Sequence, residues 1–233
     1  VASIGEFNSI RPIIHKLHKD NKFNFLITSI TFSSAKLVED EFLHDNRVTH
    51  RYLPIDKSSL AKKFLNSWSP NLAIFVDSEI WPNFIFEIKK NNIPLLLLNA
   101  RITQKTFLKW NLIKKTARKI FNNFDLFLVS SKESKLYLEK LGQKNIKYFG
   151  NIKMTIKNNK NNLDHNNKNF LSQNKFWCAL STHAEESNFC LRTHYKIKKI
   201  HNDVITIIIP RHIEDSNKIA LNGKKLNLSC QIL

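Results

Sequence analysis

Short, nearly unbroken apolar runs punctuate this chain, and they decide most of what it can fold into. They occur at Phe23–Ile30, Leu72–Val76, Pro94–Leu98, Leu126–Val129, Ile146–Phe149, Phe176–Leu180 and Val204–Ile209. Several are rich in β-branched residues and most do not alternate with polar ones. A strand covered on one face alternates, whereas a strand covered on both faces reads as a continuous apolar run. The pattern predicts a parallel sheet with helices on both sides. Helical stripes lie between the runs. Ile10, Ile13, Ile14 and Leu17 share one helix face. Ala35–Phe42, Leu60–Phe64, Phe84–Ile88, Phe107–Phe121 and Leu136–Leu141 repeat the pattern, and Gly142 follows the last as a helix stop. Strand–helix alternation of this kind builds βαβ units, hence a doubly wound α/β fold.

One segment interrupts the alternation. Residues 157–169 read KNNKNNLDHNNKN, with a single apolar residue. Such a segment has little to bury and is expected to be solvated. Residues 157–172 are therefore read as a polar linker or loop, between an α/β domain at 1–156 and a second βαβ series at 173–233. Leu228–Leu233 reads as a further strand of that series. A sheet needs more strands than the second series supplies, and Val1-Ala2-Ser3 reads like the tail of a strand already under way. The chain is expected to be a fragment. Two α/β halves of this kind usually bind ligands at the carboxyl ends of their strands, in the cleft between them.

Charge narrows the partners only weakly. Lys+Arg number 37 against 19 Asp+Glu, a formal net charge of +18. Only seven of the cations are Arg, whereas phosphate and nucleic-acid readers rely on Arg forks. A Lys excess beside so much Ile and Asn points to coding bias for part of the charge. What survives is a preference for an anionic partner: nucleic acid, a phospholipid surface or a phosphorylated substrate. The three cysteines, Cys178, Cys190 and Cys230, have no C-x-x-C spacing. Neither a disulfide framework nor a zinc ribbon is expected, and a reducing compartment fits. No run approaches 18 consecutive apolar residues, so no segment of this chain is expected to span a membrane.

Glycine is scarce: Gly5, Gly142, Gly150 and Gly223 are all there is. The G-x-G-x-x-G and G-x-x-x-x-G-K-[ST] loops are absent, which argues against an NAD-type Rossmann enzyme and a P-loop NTPase. G-x-S-x-G is absent too, which disfavours an α/β hydrolase.

The remaining polar clusters each have a structural and a chemical reading. Ser3-Ile4-Gly5-Glu6 fits a capping box. It also fits a carboxylate held at a sheet edge as a general base, with Gly5 allowing close backbone approach. Asp77-Ser78-Glu79-Ile80-Trp81-Pro82-Asn83 fits a helix start with Pro in the first turn, or a pair of acids on a divalent cation. Arg101 follows a strand and could clamp an anion. Gly150-Asn151-Ile152-Lys153 reads as a turn, or as a hinge whose Lys153 faces a cleft. Ser181-Thr182-His183-Ala184-Glu185-Glu186 offers Thr182 and Glu185 as a capping box, or a phosphate site at a helix start. A Ser–His triad does not fit that spacing. Neither do Cys178, His183 and Glu186 make a complete zinc set. Arg211 and His212 leave a strand end where a phosphate and its sugar would lie. Thr103–Phe121 carries Lys105, Lys109, Lys114, Lys115, Arg118 and Lys119 around an apolar stripe with Trp110. It reads as a solvated helix face, or as a basic surface resting on anionic headgroups.

Seven of these segments occur in one order: Ala2–Glu6, Arg51–Pro54, Ser78–Asn83, Asn99–Arg101, Gly150–Lys153, Ser181–Glu186 and Pro210–His212. Together they resemble the 3-deoxy-D-manno-octulosonic acid (Kdo) transferases of bacterial lipopolysaccharide synthesis, from residue 1 to about residue 215. The resemblance implies a GT-B glycosyltransferase of two Rossmann-like domains, the C-terminal one truncated in this chain. It implies inverting transfer of Kdo from CMP-Kdo to the tetraacylated, bisphosphorylated lipid A precursor, without a metal ion or other cofactor and without nucleic acid. It also implies work at the cytoplasmic face of the bacterial inner membrane, on an anionic membrane surface, with an anchor segment absent from these residues. Position by position, Glu6 matches the general base. Ser3, Gly5, Glu79, Trp81 and Arg101 fall on the acceptor side. Ser181, Thr182, His183, Glu186, Pro210, Arg211 and His212 fall on the side that holds CMP-Kdo. Two readings compete. One is another GT-B transferase or sugar-nucleotide epimerase using UDP or GDP sugars. The other is a basic membrane- or nucleic-acid-binding module with no chemistry.

Overall fold

The computed structural model describes residues 1–155 and 165–232. It divides into two compact units, Val1–Lys157 and Asn158–Leu233. In the first unit the elements run α1 (Ile4–His18), β1 (Phe25–Ser29), α2 (Phe32–Glu41), β2 (Val48–Tyr52), α3 (Ser58–Trp68), β3 (Ala73–Val76) and α4 (Pro82–Lys90). They continue with β4 (Leu95–Ala100), α5 (Gln104–Leu112), α6 (Lys114–Phe121), β5 (Leu126–Val129), α7 (Lys132–Lys140) and β6 (Ile146–Tyr148), and a 3₁₀ turn at Ile152–Thr155 closes the unit. All strand pairs are parallel, in a β1-β2 pair and a four-stranded β3-β4-β5-β6 sheet.

The larger core explains the unbroken runs. Leu95 and Leu97 of β4 and Phe127 and Val129 of β5 are almost fully buried. They pack in one cluster with Phe84, Ile85 and Ile88 of α4, Ala117, Ile120 and Phe121 of α6, and Leu138 and Leu141 of and after α7. The rings of Phe121, Phe124 and Phe127 lie 5.1–6.5 Å apart centroid to centroid, within the range of favourable aromatic pairs. A smaller cluster joins Phe7 and Ile14 of α1 to Ile27 of β1 and Val38 of α2. Short polar turns start the helices. Thr31, Thr103 and Ser131 each accept a hydrogen bond from the backbone N–H three residues on, at 3.3, 3.3 and 3.0 Å, as side-chain N-caps do. Each helix after β1, β4 and β5 therefore starts within a few residues of the strand's carboxyl end.

The second unit contains α8 (His165–Gln173), β7 (Lys175–Thr182), α9 (Ala184–Lys198), β8 (Val204–Pro210) and α10 (Asp215–Lys225), with β7 and β8 parallel. Beyond α10, Asn227 turns in the left-handed region and Leu228 packs back, its N–H bonded to the Gly223 carbonyl. Cys230 then lies so close to Gly223 that a Cβ there would clash with its sulfur. No side chain fits at 223 without displacing this crossing.

Four expectations change. β2 was not anticipated: Val-Thr-His-Arg-Tyr has little apolar character because it pairs only with β1 among the described residues. The single helix expected over Phe107–Phe121 is two, broken at Ile113, whose φ of −113° and ψ of 42° are not helical. Within the expected linker, residues 157–164 lie outside the described residues, but residues 165–172 belong to helix α8 rather than to a loop. Leu228–Ile232 forms no strand; it is the returning tail that covers Gly223.

Truncating Phe127 to Ala should destabilise the first unit by about 3–5 kcal/mol. Truncating Leu112, which is 87% exposed, should change stability by less than about 0.5 kcal/mol. Denaturant unfolding followed by tryptophan fluorescence compares the two.

Candidate active site

Two strands of the first unit end in the same unusual way. Asp77 after β3 and Asn99 in β4 have φ of 57° and 56°, a left-handed conformation that Asp and Asn tolerate better than most residues. Asn99 is the extra residue where the β4–β5 register shifts between Leu98 and Ala100. A bulge of this kind re-aims one side chain without breaking the sheet. The strand ends are laced together. The Asp77 N–H donates to the Leu98 carbonyl at 2.9 Å and the Arg101 N–H to the Asp77 carbonyl at 3.2 Å. The Ser78 hydroxyl donates to the Arg101 carbonyl at 3.0 Å.

The side chains continue the lacing. The Asn99 amide nitrogen donates to Asp77 Oδ1. Asn99 Oδ1 accepts the Ile152 N–H at 3.1 Å. The Lys153 ammonium pairs with Asp77 Oδ2 at 2.7 Å. Lys153, expected as a hinge lysine, is thus engaged within the first unit by an aspartate read in the sequence as part of a helix start or of a divalent-cation pair.

Glu6 sits in the first turn of α1. Ser3 caps the helix and accepts the Glu6 N–H at 3.2 Å, while the Glu6 carboxylate accepts the Ala2 N–H at 2.6 Å. The reciprocal bond of the box therefore reaches one residue before the cap. Burial pushes the Glu6 carboxyl above its ordinary value; the Ala2 N–H opposes this, and the negative charges of Glu79 and Asp77 add to it. Gly5 is not demanded by packing, since a Cβ there would meet nothing closer than Ser3 Oγ at 3.9 Å. Glu79 accepts the Trp81 indole N–H at 2.8 Å, and Trp81 packs on the large core. Arg101 is exposed, and its guanidinium bonds to none of the described residues. A half-buried carboxyl with raised proton affinity is a better proton acceptor than an ordinary one; an exposed guanidinium can hold an anion.

The loop carrying Glu79 is fixed by a residue that sequence reasoning missed. Helix α4 begins at Pro82, and Trp81 at its N-cap makes no side-chain cap bond. Asp56 supplies the acceptor: its carboxylate takes the Asn83 N–H at 3.2 Å and the Phe84 N–H at 3.0 Å, while the Asn83 side chain donates to the Asp56 carbonyl at 2.8 Å. The signal was present, because a helix starting with Pro and no local cap leaves N–H groups that must find a distant acceptor.

In the second unit Ser181 repeats the strand-end device. Its φ is 58°, and the β7–β8 register shifts across it, between Leu180 and Thr182. The Thr182 hydroxyl is buried and bonded to Ser187 Oγ at 2.8 Å, and its carbonyl accepts the Arg211 N–H at 3.0 Å. Thr182 is buried, and its hydroxyl ties the turn to Ser187. The cap of α9 is His183, whose N–H donates to the Glu186 carboxylate at 2.8 Å. The capping pair is therefore 183 and 186, not the expected Thr182 and Glu185. Ser181, His183, Arg211 and His212 are exposed around this turn, with Pro210 partly covered.

Two other features have different meanings. Ser29 Oγ, His50 and Glu39 form a hydrogen-bonded chain with links of 2.9 Å. Ser29 is completely buried, so this chain ties β1 to β2 and α2 and cannot attack a substrate. On α5, Leu108 and Leu112 are exposed on a helix surface that Lys105 and Lys109 share. Among the described residues no helix is long and apolar enough to cross a membrane.

Residues 1–156 match a family model described as 3-deoxy-D-manno-octulosonic-acid transferase (kdotransferase). The chain is similar to the 3-deoxy-D-manno-octulosonic acid transferase of Rickettsia prowazekii (strain Madrid E): 35% identical over 231 residues, covering 98% of this chain and 50% of that protein. Against the protein of the same description from Haemophilus influenzae (strain ATCC 51907 / DSM 11121 / KW20 / Rd) it is 26% identical over 224 residues, covering 94% and 52%. The chain thus spans about half the length of these curated relatives. In structure it resembles a putative UDP-N-acetylglucosamine 2-epimerase from Listeria monocytogenes, with a TM-score of 0.70 at 12% identity, covering 99% of this chain and 65% of that one. That likeness is one of fold alone, a parallel α/β architecture of GT-B type.

Asp56→Ala should remove the cap of α4 and destabilise the first unit by about 1–2 kcal/mol, while Asp56→Asn should lose less. Thermal unfolding of the two variants beside the parent measures both.

Proposed function

The chain belongs to the 3-deoxy-D-manno-octulosonic acid (Kdo) transferase family, and we propose that it serves the inverting, metal-independent transfer of Kdo from CMP-Kdo to the tetraacylated, bisphosphorylated lipid A precursor. The observation that carries the reading is Glu6. It is a half-buried carboxylate at a helix start whose proton affinity is raised by burial and by two neighbouring acids. In the proposed reaction Glu6 takes the proton of the acceptor hydroxyl as its oxygen attacks the anomeric carbon of Kdo. The bond to CMP breaks, and the phosphate leaves with the electron pair. Arg211 is the donor-side group suited to that charge, because it is exposed and cationic. Glu186 also caps its helix, accepting the His183 N–H. Arg101 suits a phosphate of the acceptor.

The acceptor's acyl chains and phosphates call for apolar surface beside cations, which the exposed surface of α5 offers through Leu108, Leu112, Lys105 and Lys109. The same surface suits the anionic cytoplasmic face of an inner membrane. Epimerisation of a UDP-sugar has only shared fold behind it, and fold does not carry chemistry. A purely polyanion-binding role leaves the raised proton affinity of Glu6 without a use.

The test is transfer of labelled Kdo by protein expressed from its complete reading frame, with CMP-Kdo freed of metal and EDTA present. Glu6→Gln should lower kcat/KM by about 10²–10⁴-fold. In the parent protein kcat/KM should fall with decreasing pH through a value above the usual carboxylate range, since only ionised Glu6 accepts a proton. A carboxyl whose folded value is raised costs stability as pH climbs from the unfolded to the folded value. Glu6→Gln should therefore be at least as stable as the parent at neutral pH, which separates lost chemistry from lost structure. Full transfer by Glu6→Gln, or dependence on a divalent cation, contradicts the reading; competition by UDP rather than CMP favours the epimerase-like alternative.

For the surface, Leu108→Asp with Leu112→Asp should weaken co-sedimentation with phosphatidylglycerol vesicles while leaving the unfolding midpoint unchanged, because both side chains are already exposed.

A further inference from the structure

We propose that Asp77 is a positioning residue that, braced by Asn99, holds the Lys153 ammonium in one place at the strand-end cluster for an anionic group of the substrate. The inference deepens the transferase reading and rests on it for the substrate, but not for the latch itself. Three segments far apart in sequence meet here: the end of β3, the bulge of β4 and the turn at Ile152–Thr155. Both oxygens of Asp77 are committed, Oδ1 to the Asn99 amide and Oδ2 to Lys153 at 2.7 Å. Asn99 is almost fully buried and reaches the turn again through the Ile152 N–H at 3.1 Å. The Lys153 backbone is pinned as well, its N–H donating to Asn151 Oδ1 at 3.0 Å.

This network is more than a fold needs to close a turn. A flexible lysine ordinarily keeps several rotamers, and ordering one costs conformational entropy. Here the Asp77 side chain is 13% exposed and that of Lys153 39%, so the pair is sheltered on the aspartate side and open on the lysine side. An ammonium has three donors, and one is spent on Asp77. The others have no partner among the described residues, and α1, which carries Glu6, packs against the same turn. The backbone is left-handed at both 77 and 99, and the two side chains bond to each other across the strand ends.

The experiment compares Asp77→Asn with the parent in protein from the complete reading frame. Asn keeps the shape, the tolerance of left-handed backbone and an oxygen for Asn99, but it faces Lys153 with an amide NH2 that cannot accept from the ammonium, so charge and acceptor are lost together. Asp77→Ser is the second variant should the first unfold. Lys153 is read directly by acetylation with a water-soluble N-hydroxysuccinimide ester and mass spectrometry, with Lys105 as the exposed internal control. An amine held against a carboxylate reacts slowly, so Lys153 labelling should rise several-fold in either variant while Lys105 is unchanged. In the transfer assay Asp77→Asn should lower kcat by about 10-fold, and that loss should vanish in a Lys153→Met background, the signature of two residues acting as one unit. Unchanged Lys153 labelling, or losses that add in the double variant, overturns the latch. If the parent itself shows no Kdo transfer, the transferase reading fails and the labelling arm alone decides the latch.

Discussion

A strand covered by helices on both faces has no middle to offer chemistry. β4 shows the constraint plainly: Leu95, Leu97 and Ala100 are sealed, and any polar side chain between them must be bonded or be turned out of the sheet. The chain meets this by placing its polar residues at strand exits and bending the backbone there. Asp77, Asn99 and Ser181 all sit in the left-handed region, at a cost of about 1–2 kcal/mol each for an ordinary side chain and less for Asp or Asn. The bonds from Asp77 and Asn99 to each other, to Ile152 and to Lys153 offset that cost. In a chain with four glycines, the bends at 77 and 99 fall to side chains that bond as they turn.

Much of this was legible in the residues themselves. Leu126–Val129 was read to the residue, and the parallel α/β architecture followed from unbroken apolar runs. The misses have physical causes. β2 was invisible because an edge strand holding His50 and Arg51 has no apolar signature. The break at Ile113 was invisible because nothing in its side chain forbids a helix. α8 was hidden because asparagine and lysine disguise a helix whose apolar content is only Phe170 and Leu171.

The site divided along the same line. Local pairs could be read from spacing, as with Ser3 capping Glu6, although at α9 the box lies one residue further on than spacing alone suggested. Long-range partners could not. Asp56 under α4 and Asp77 on Lys153 join residues 27 or more apart, and no periodicity encodes such a meeting. Asn151, Ile152 and Lys153 stand together in the sequence; the structure adds how they are tied to Asp77 and Asn99.

The crossing of Cys230 over Gly223 has a practical side. All three thiols lie in the second unit: Cys178 open, Cys190 sealed, and Cys230 lodged against a glycine that leaves its sulfur just enough room. The first unit has none. Alkylation therefore acts as a built-in clock for the second unit alone. Cys178 marks time zero, and the other two keep time with the loosening of the α9–α10 packing, whatever the first unit is doing.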